Sequence, residues 1–139
     1  MSDYGFSITL TEDFEPVVVR ARDALAEQGF GILTEIDVAA TMKAKLDVDM
    51  PPYLILGACN PPLAHQAIAI DASIGLLLPC NVVIRALDER HTLVEVMDPN
   101  VMVTATGNSA LAPVADQART HLTAALDTLS GPAPVARCG

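Results

Sequence analysis

Asn81-Val82-Val83-Ile84-Arg85-Ala86-Leu87, Asp88-Glu89-Arg90-His91, Thr92-Leu93-Val94-Glu95-Val96-Met97: two apolar-rich runs flank four polar residues. Val, Ile and Thr crowd the flanks and suit a pleated, half-buried surface, while the polar step has hairpin length. The stretch therefore predicts two antiparallel strands, and any sheet they join contains antiparallel pairing. Working outward, Phe6, Ile8 and Leu10 alternate with Ser7 and Thr9, and Phe30, Ile32, Thr34 and Ile36 form a second strand. A third runs from Tyr53 to Ala58.

Helical spacing fills the gaps. Thr11 is the expected cap of a helix with Glu12, Asp13 and Glu15 in its first turn, carrying Phe14, Val17, Val18, Ala21 and Leu25 before Gly29 stops it. Asp37 caps a short helix to about Leu46. Asn60 caps another to about Ile70, with Pro61 and Pro62 in the first turn, where no N–H is needed. Asp71 to Gly75 reads as a loop, Val101 to Ala105 as a brief strand extension after Asp98-Pro99-Asn100, and Ala112 to Leu129 as the last helix. The order β-α-β-α-β-α-β-β-α fits an α+β fold, a two-layer α/β sandwich whose sheet is mixed with antiparallel pairing. Residues 1–130 are expected to form one domain and 131–139 a flexible C-terminal tail.

Composition narrows the function. Of 139 residues 51% are hydrophobic and only 18% charged, so a monomer is expected to leave apolar area exposed and a homodimer to cover some of it. Seventeen acidic against eight basic side chains give a net charge of −9, which repels phosphate backbones and anionic lipid, so neither nucleic acid nor membrane is an expected partner. The run from Ile74 to Ile84 is broken by Pro79 and too short to cross a bilayer. Three cysteines behind a start without a basic or apolar leader point to the cytoplasm and to thiols that are free, metal-bound or transiently oxidised.

Two of those cysteines occupy near-duplicate corners, Gly57-Ala58-Cys59-Asn60-Pro61-Pro62 and Leu76-Leu77-Leu78-Pro79-Cys80-Asn81. Cys59 would sit at a helix N-terminus, where unpaired N–H groups and the dipole favour its thiolate. Cys80 opens the next strand in an apolar setting that raises a thiol pKa. Against both stands the plain reading of cysteine as a small buried hydrophobe. Together the corners suggest one pocket, with Asn60 and Asn81 offering amide donors to an anion or a carbonyl.

A metal would need His65 alongside Cys59 and Cys80, because the cysteine spacing lacks the short pairs of a zinc ribbon. Glu35 and Asp37 are a conceivable acid/base pair, though a cap and an outer strand face explain them as well. His91 and His121 read as solvated, and Met42, Met50, Met97 and Met102 as core filler. No glycine-rich phosphate loop, nucleophile elbow or His-Glu-x-x-His is present, no motif names a cofactor, and aromatics at 4% argue against stacking platforms.

From Gly29-Phe30-Gly31-Ile32-Leu33-Thr34-Glu35-Ile36-Asp37-Val38, through Leu54-Ile55-Leu56-Gly57-Ala58-Cys59-Asn60-Pro61, to Gly75-Leu76-Leu77-Leu78-Pro79-Cys80-Asn81-Val82, the chain resembles the bacterial and archaeal family called domain of unknown function 302. The likeness spans roughly Tyr4 to Ala105. It implies a small homodimeric α+β protein and no activity. Glu35, Asp37, Gly57, Cys59, Asn60, Pro61, Leu78, Pro79, Cys80, Asn81, Asp98 and Pro99 all match its pattern.

Three functions follow as expectations. One is a module binding a small molecule, anion or metal through Cys59, Asn60, Cys80 and Asn81, with Glu35 nearby. Another is a thiol redox protein or enzyme with Cys59 attacking and Cys80 resolving. The last gives both cysteines a purely structural role.

Overall fold

The computed structural model describes residues 4–131. In chain order its elements are β1 (Gly5–Leu10), α1 (Phe14–Glu27), β2 (Gly31–Asp37), α2 (Val38–Leu46), β3 (Tyr53–Cys59), α3 (Pro61–Ile70), β4 (Cys80–Ala86), β5 (Thr92–Met97), α4 (Val101–Thr106) and α5 (Ala112–Ser130). Short 3₁₀ turns at Ala72–Leu77 and Ser109–Leu111 complete the list. Of the expected tail, residues 131–139, all but Gly131 lie outside the described residues.

The strands make one sheet in the order β1-β5-β4-β3-β2. The β4–β5 hairpin pairs Val82 with Val96 and Ile84 with Val94, as its sequence predicts. All four ladders are antiparallel rather than mixed. The reason lies in the first crossover. Strands β1 and β2 do run in the same direction across α1, but three strands separate them, so no parallel ladder forms.

Period-two alternation sends Leu54, Leu56, Ala58, Val82, Ile84, Val94 and Val96 to one face of the sheet. Val17, Val18, Ala21 and Leu25 of α1 and Leu122, Ala125, Leu126 and Leu129 of α5 close over them. Each fully buried Val or Leu contributes about 1.5–3 kcal/mol, which makes this layer the main source of stability. The alternate residues Ile55, Val83 and Leu93 point to the opposite face and are only half-buried. A second core gathers at one end, where Leu63 and Ala67 of α3 meet Ile74, Met102, Leu111, Val114, Ala115 and Ala118.

Three local expectations are corrected. Helix α1 starts after Asp13 rather than Thr11. The Glu12 carbonyl accepts the buried Thr92 Oγ1 at 2.8 Å and its carboxylate pairs with Arg20, so the preceding residues are held to the sheet instead. The segment after Asp71 is a 3₁₀ turn, opened by Ser73 N–H donating to Asp71 Oδ1 at 3.0 Å. Val101–Thr106 is helix, not strand. Asp98 Oδ1 accepts the Asn100 N–H at 3.0 Å and turns the chain, and helical winding buries Met102 in the second core. Packing there overrides the strand preference of Val101 and Val103.

Candidate functional site

The two cysteine corners meet where β3 ends and β4 begins. Ala58 pairs with Cys80 and Gly57 with Asn81 across the ladder, so the two strand ends lie side by side. Asn60 leaves the strand and caps α3, its Oδ1 3.5 Å from the Leu63 N–H, while Ala64 N–H reaches the Asn60 carbonyl at 2.9 Å. Beside it the Leu78–Pro79 peptide is cis. The corner is tight. A Cβ on Gly57 would lie 2.1 Å from Thr34 Oγ1 and 2.8 Å from Pro79 Cγ.

A third element comes from the end of α1. Gly29 adopts φ +85°, with its N–H on the Ala26 carbonyl at 3.0 Å and the Phe30 N–H on the Leu25 carbonyl at 3.0 Å. This Schellman-type stop needs glycine at the left-handed position and turns the next residue inward. Phe30 is thereby buried at the corner, and Gly29 leaves just enough room for Asn60 Nδ2, 3.3 Å from where a Cβ would be.

Between these pieces lies a cavity of about 20 Å³. A space of that size holds about one water or one small ion. Phe30, Leu63, Leu78, Pro79 and Val114 make its walls apolar, and Cys59, Asn60 and Cys80 supply the groups that can interact specifically. Cys59 is half-buried, Cys80 is buried, and the two are free thiols. Burial, with a smaller effect from Cys59, pushes the Cys80 thiol up to about 11.

The fold separates the remaining candidates. Asn81 follows Cys80 on the strand and so faces the other side of the sheet, exposed. His65 is exposed on α3 and does not line the cavity. Among the described residues no three His, Cys, Asp or Glu side chains come together to hold a metal, so the cysteine–histidine set is not assembled. Glu35 pairs with Arg22 at 2.7 Å and, with Asp37, borders a different cavity of about 310 Å³ beneath α2. Asp37 is the α2 cap, accepting the Ala40 N–H at 2.9 Å. His91 bonds Asp88 at 2.8 Å in the hairpin turn, and half-buried His121 bonds Gln28 Oε1 at 3.2 Å rather than standing free in solvent.

A further lining residue reads from the sequence only as core filler. Met102, only 2% exposed, joins both cysteines around the cavity from α4. No spacing along the chain reveals its place there, because Val101 to Ala105 reads as a strand extension. No described helix is long and apolar enough to cross a membrane.

An antiparallel sheet covered on one face by helices, with a thiol-bearing cavity at its end, defines a class of small α+β sandwich. The family model described as domain of unknown function DUF302 matches residues 6–129. The chain belongs to that family. It is also similar to an uncharacterized conserved DUF302 protein from Bacillus stearothermophilus, whose crystal structure superposes with a TM-score of 0.83 at 24% identity. The match covers 91% of this chain and 98% of that one, and speaks to the fold alone. Among curated proteins none matches.

Proposed function

We propose that this protein is a binding module for a very small ligand held between Cys59, Asn60 and Cys80. One observation carries the reading: these three residues line a single cavity whose other walls are apolar and whose volume is about 20 Å³. In such a setting a few placed polar or soft groups select the ligand against an apolar background. Asn60 uses Oδ1 for the cap of α3, so the cysteines supply the groups free to hold the ligand.

The redox alternative is less well supported. Thiol–disulfide exchange runs through the thiolate, and a Cys80 thiol near 11 holds little of that form at neutral pH. A purely structural role would show up as stability loss without any ligand to lose.

With the module goes a homodimer, supported by exposed apolar side chains such as Leu33 and Ile36 on β2. Native mass spectrometry of protein purified without reductant or chelator tests both points. Extra mass that vanishes in the Cys59→Ala, Cys80→Ala variant is the expected result. A bare protein with Cys59 and Cys80 both reduced would overturn the binding reading, and a monomer would overturn the dimer.

A further inference from the structure

The cavity's chemistry narrows its occupant further. Three sulfur-bearing side chains line it, Cys59 from the end of β3, Cys80 from the start of β4 and Met102 from α4. Among the described residues no histidine or carboxylate lines it, and the one amide side chain is that of Asn60. We propose that this is a site for a soft monovalent cation of the copper(I) kind, with the two cysteine thiolates and the Met102 thioether as donors. The inference rests on the binding reading above and names the ligand class for that same cavity.

Donor softness carries the argument. Thiolate and thioether sulfur favour Cu(I), whereas Mg, Ca and Mn take oxygen ligands. Structural zinc takes four thiolate or imidazole ligands, and here two thiols are present with His65 exposed and away from the cavity. Volume points the same way. About 20 Å³ is room for one bare ion, which suits a cation held by two or three sulfur donors.

Met102 is otherwise an unremarked core residue, and any aliphatic side chain of its volume would fill the second core. Coordination gives its sulfur a role. Each coordinated thiol gives up its proton, so one ion entering as Cu⁺ releases two protons and leaves a net charge of −1. That charge lies at the N-terminus of α3, whose dipole end is positive. No electron is transferred in the step.

The test is an anaerobic competition titration of the full reduced chain against the Cu(I) chelator bicinchoninate. It is run in a Cys138→Ser background, because Cys138 lies outside the described residues. The chain is expected to withdraw one Cu(I) per protomer. Met102→Leu keeps volume and fold, so it should bind the same amount with weaker affinity. Losing a direct sulfur donor should cost at least what loss of an outer-shell partner costs, about 10–100-fold. Cys59→Ala and Cys80→Ala should fail to compete, and His65→Ala should match the parent.

A parent protein that leaves the chelator's copper untouched overturns the proposal. So does a Met102→Leu protein with unchanged affinity, or a double cysteine variant that competes as well as the parent. If copper is not taken up but a cysteine-dependent adduct persists in the native spectrum, this inference falls and the binding reading stands. If neither is seen, both fall.

Discussion

Replacing Gly57 by alanine tests the geometry of the cysteine corner directly. The added methyl would sit 2.1 Å from Thr34 Oγ1 and 2.8 Å from Pro79 Cγ, both far inside van der Waals contact. Thr34 lies opposite Gly57 in the β2–β3 ladder, at the point where the register shifts, and its exposed side chain can rotate away from the added methyl. The Pro79 ring has no rotamer to change. Overpacking costs about 1–3 kcal/mol, and the contact with the Pro79 ring puts this substitution in the upper half of that range. For a domain of this size that corresponds to roughly 10 °C in melting temperature.

Urea unfolding followed by circular dichroism measures it, with Gly75→Ala as control. Nothing lies within 4 Å of a Cβ at Gly75, so its change should stay within about 0.5 kcal/mol. The double variant Thr34→Ala, Gly57→Ala removes the 2.1 Å contact and keeps the 2.8 Å one. It should therefore be more stable than the sum of the single changes by about 1 kcal/mol. A Gly57→Ala protein as stable as the parent would refute the close approach of Pro79 to Gly57 at the cysteine corner.

Further expectations concern the thiol, the buried hydroxyl and the acidic pair. The Cys80 thiol is raised from 9.0 to about 11 in the folded chain. Its contribution is therefore fully present below pH 9 and is lost as pH climbs toward 11, where the unfolded chain ionises first. That is about 2–3 kcal/mol in all, and a Cys80→Ala protein should lack this part of the alkaline decline when the two urea profiles are compared. Thr92, 1% exposed, donates to the Glu12 carbonyl at 2.8 Å. Thr92→Val should cost about 1 kcal/mol, and a neutral result would mean that the hydroxyl does not hold the start of α1. The half-exposed Arg22–Glu35 pair borders a different cavity. Glu35→Gln should lower stability by no more than about 1 kcal/mol and leave any cysteine-dependent adduct in the native spectrum intact, whereas loss of that adduct would place Glu35 in the site.

Much of the fold was legible because its signals are local. The β4–β5 hairpin, the Asn60 cap with two prolines behind it, the Asp37 cap and the Gly29 stop each need only neighbouring residues to be recognised. What escaped depends on distant partners. Glu12 is drawn away from α1 by Thr92, eighty positions on, and Val101–Thr106 winds into a helix because Met102 has a core to enter. The two Cys-Asn strings look alike on paper, but strand alternation splits one of them. Cys80 turns in and Asn81 out, while Asn60 has already left its strand and caps a helix. The twofold repeat in the sequence thus becomes an asymmetric site of two thiols and one amide.

The position of β1 at the far edge of the sheet bears on how the chain acquires its structure. Gly5 through Leu10 pair with Met97 back to Thr92, so β1, made before the other described strands, waits for the last of them before it has a neighbour. In the interval Phe6, Ile8 and Leu10 stand as an unpaired apolar edge. Contacts this far apart in sequence slow folding, and such an edge invites association between nascent chains. The alternating Ser7 and Thr9 keep half of that strand polar during the wait.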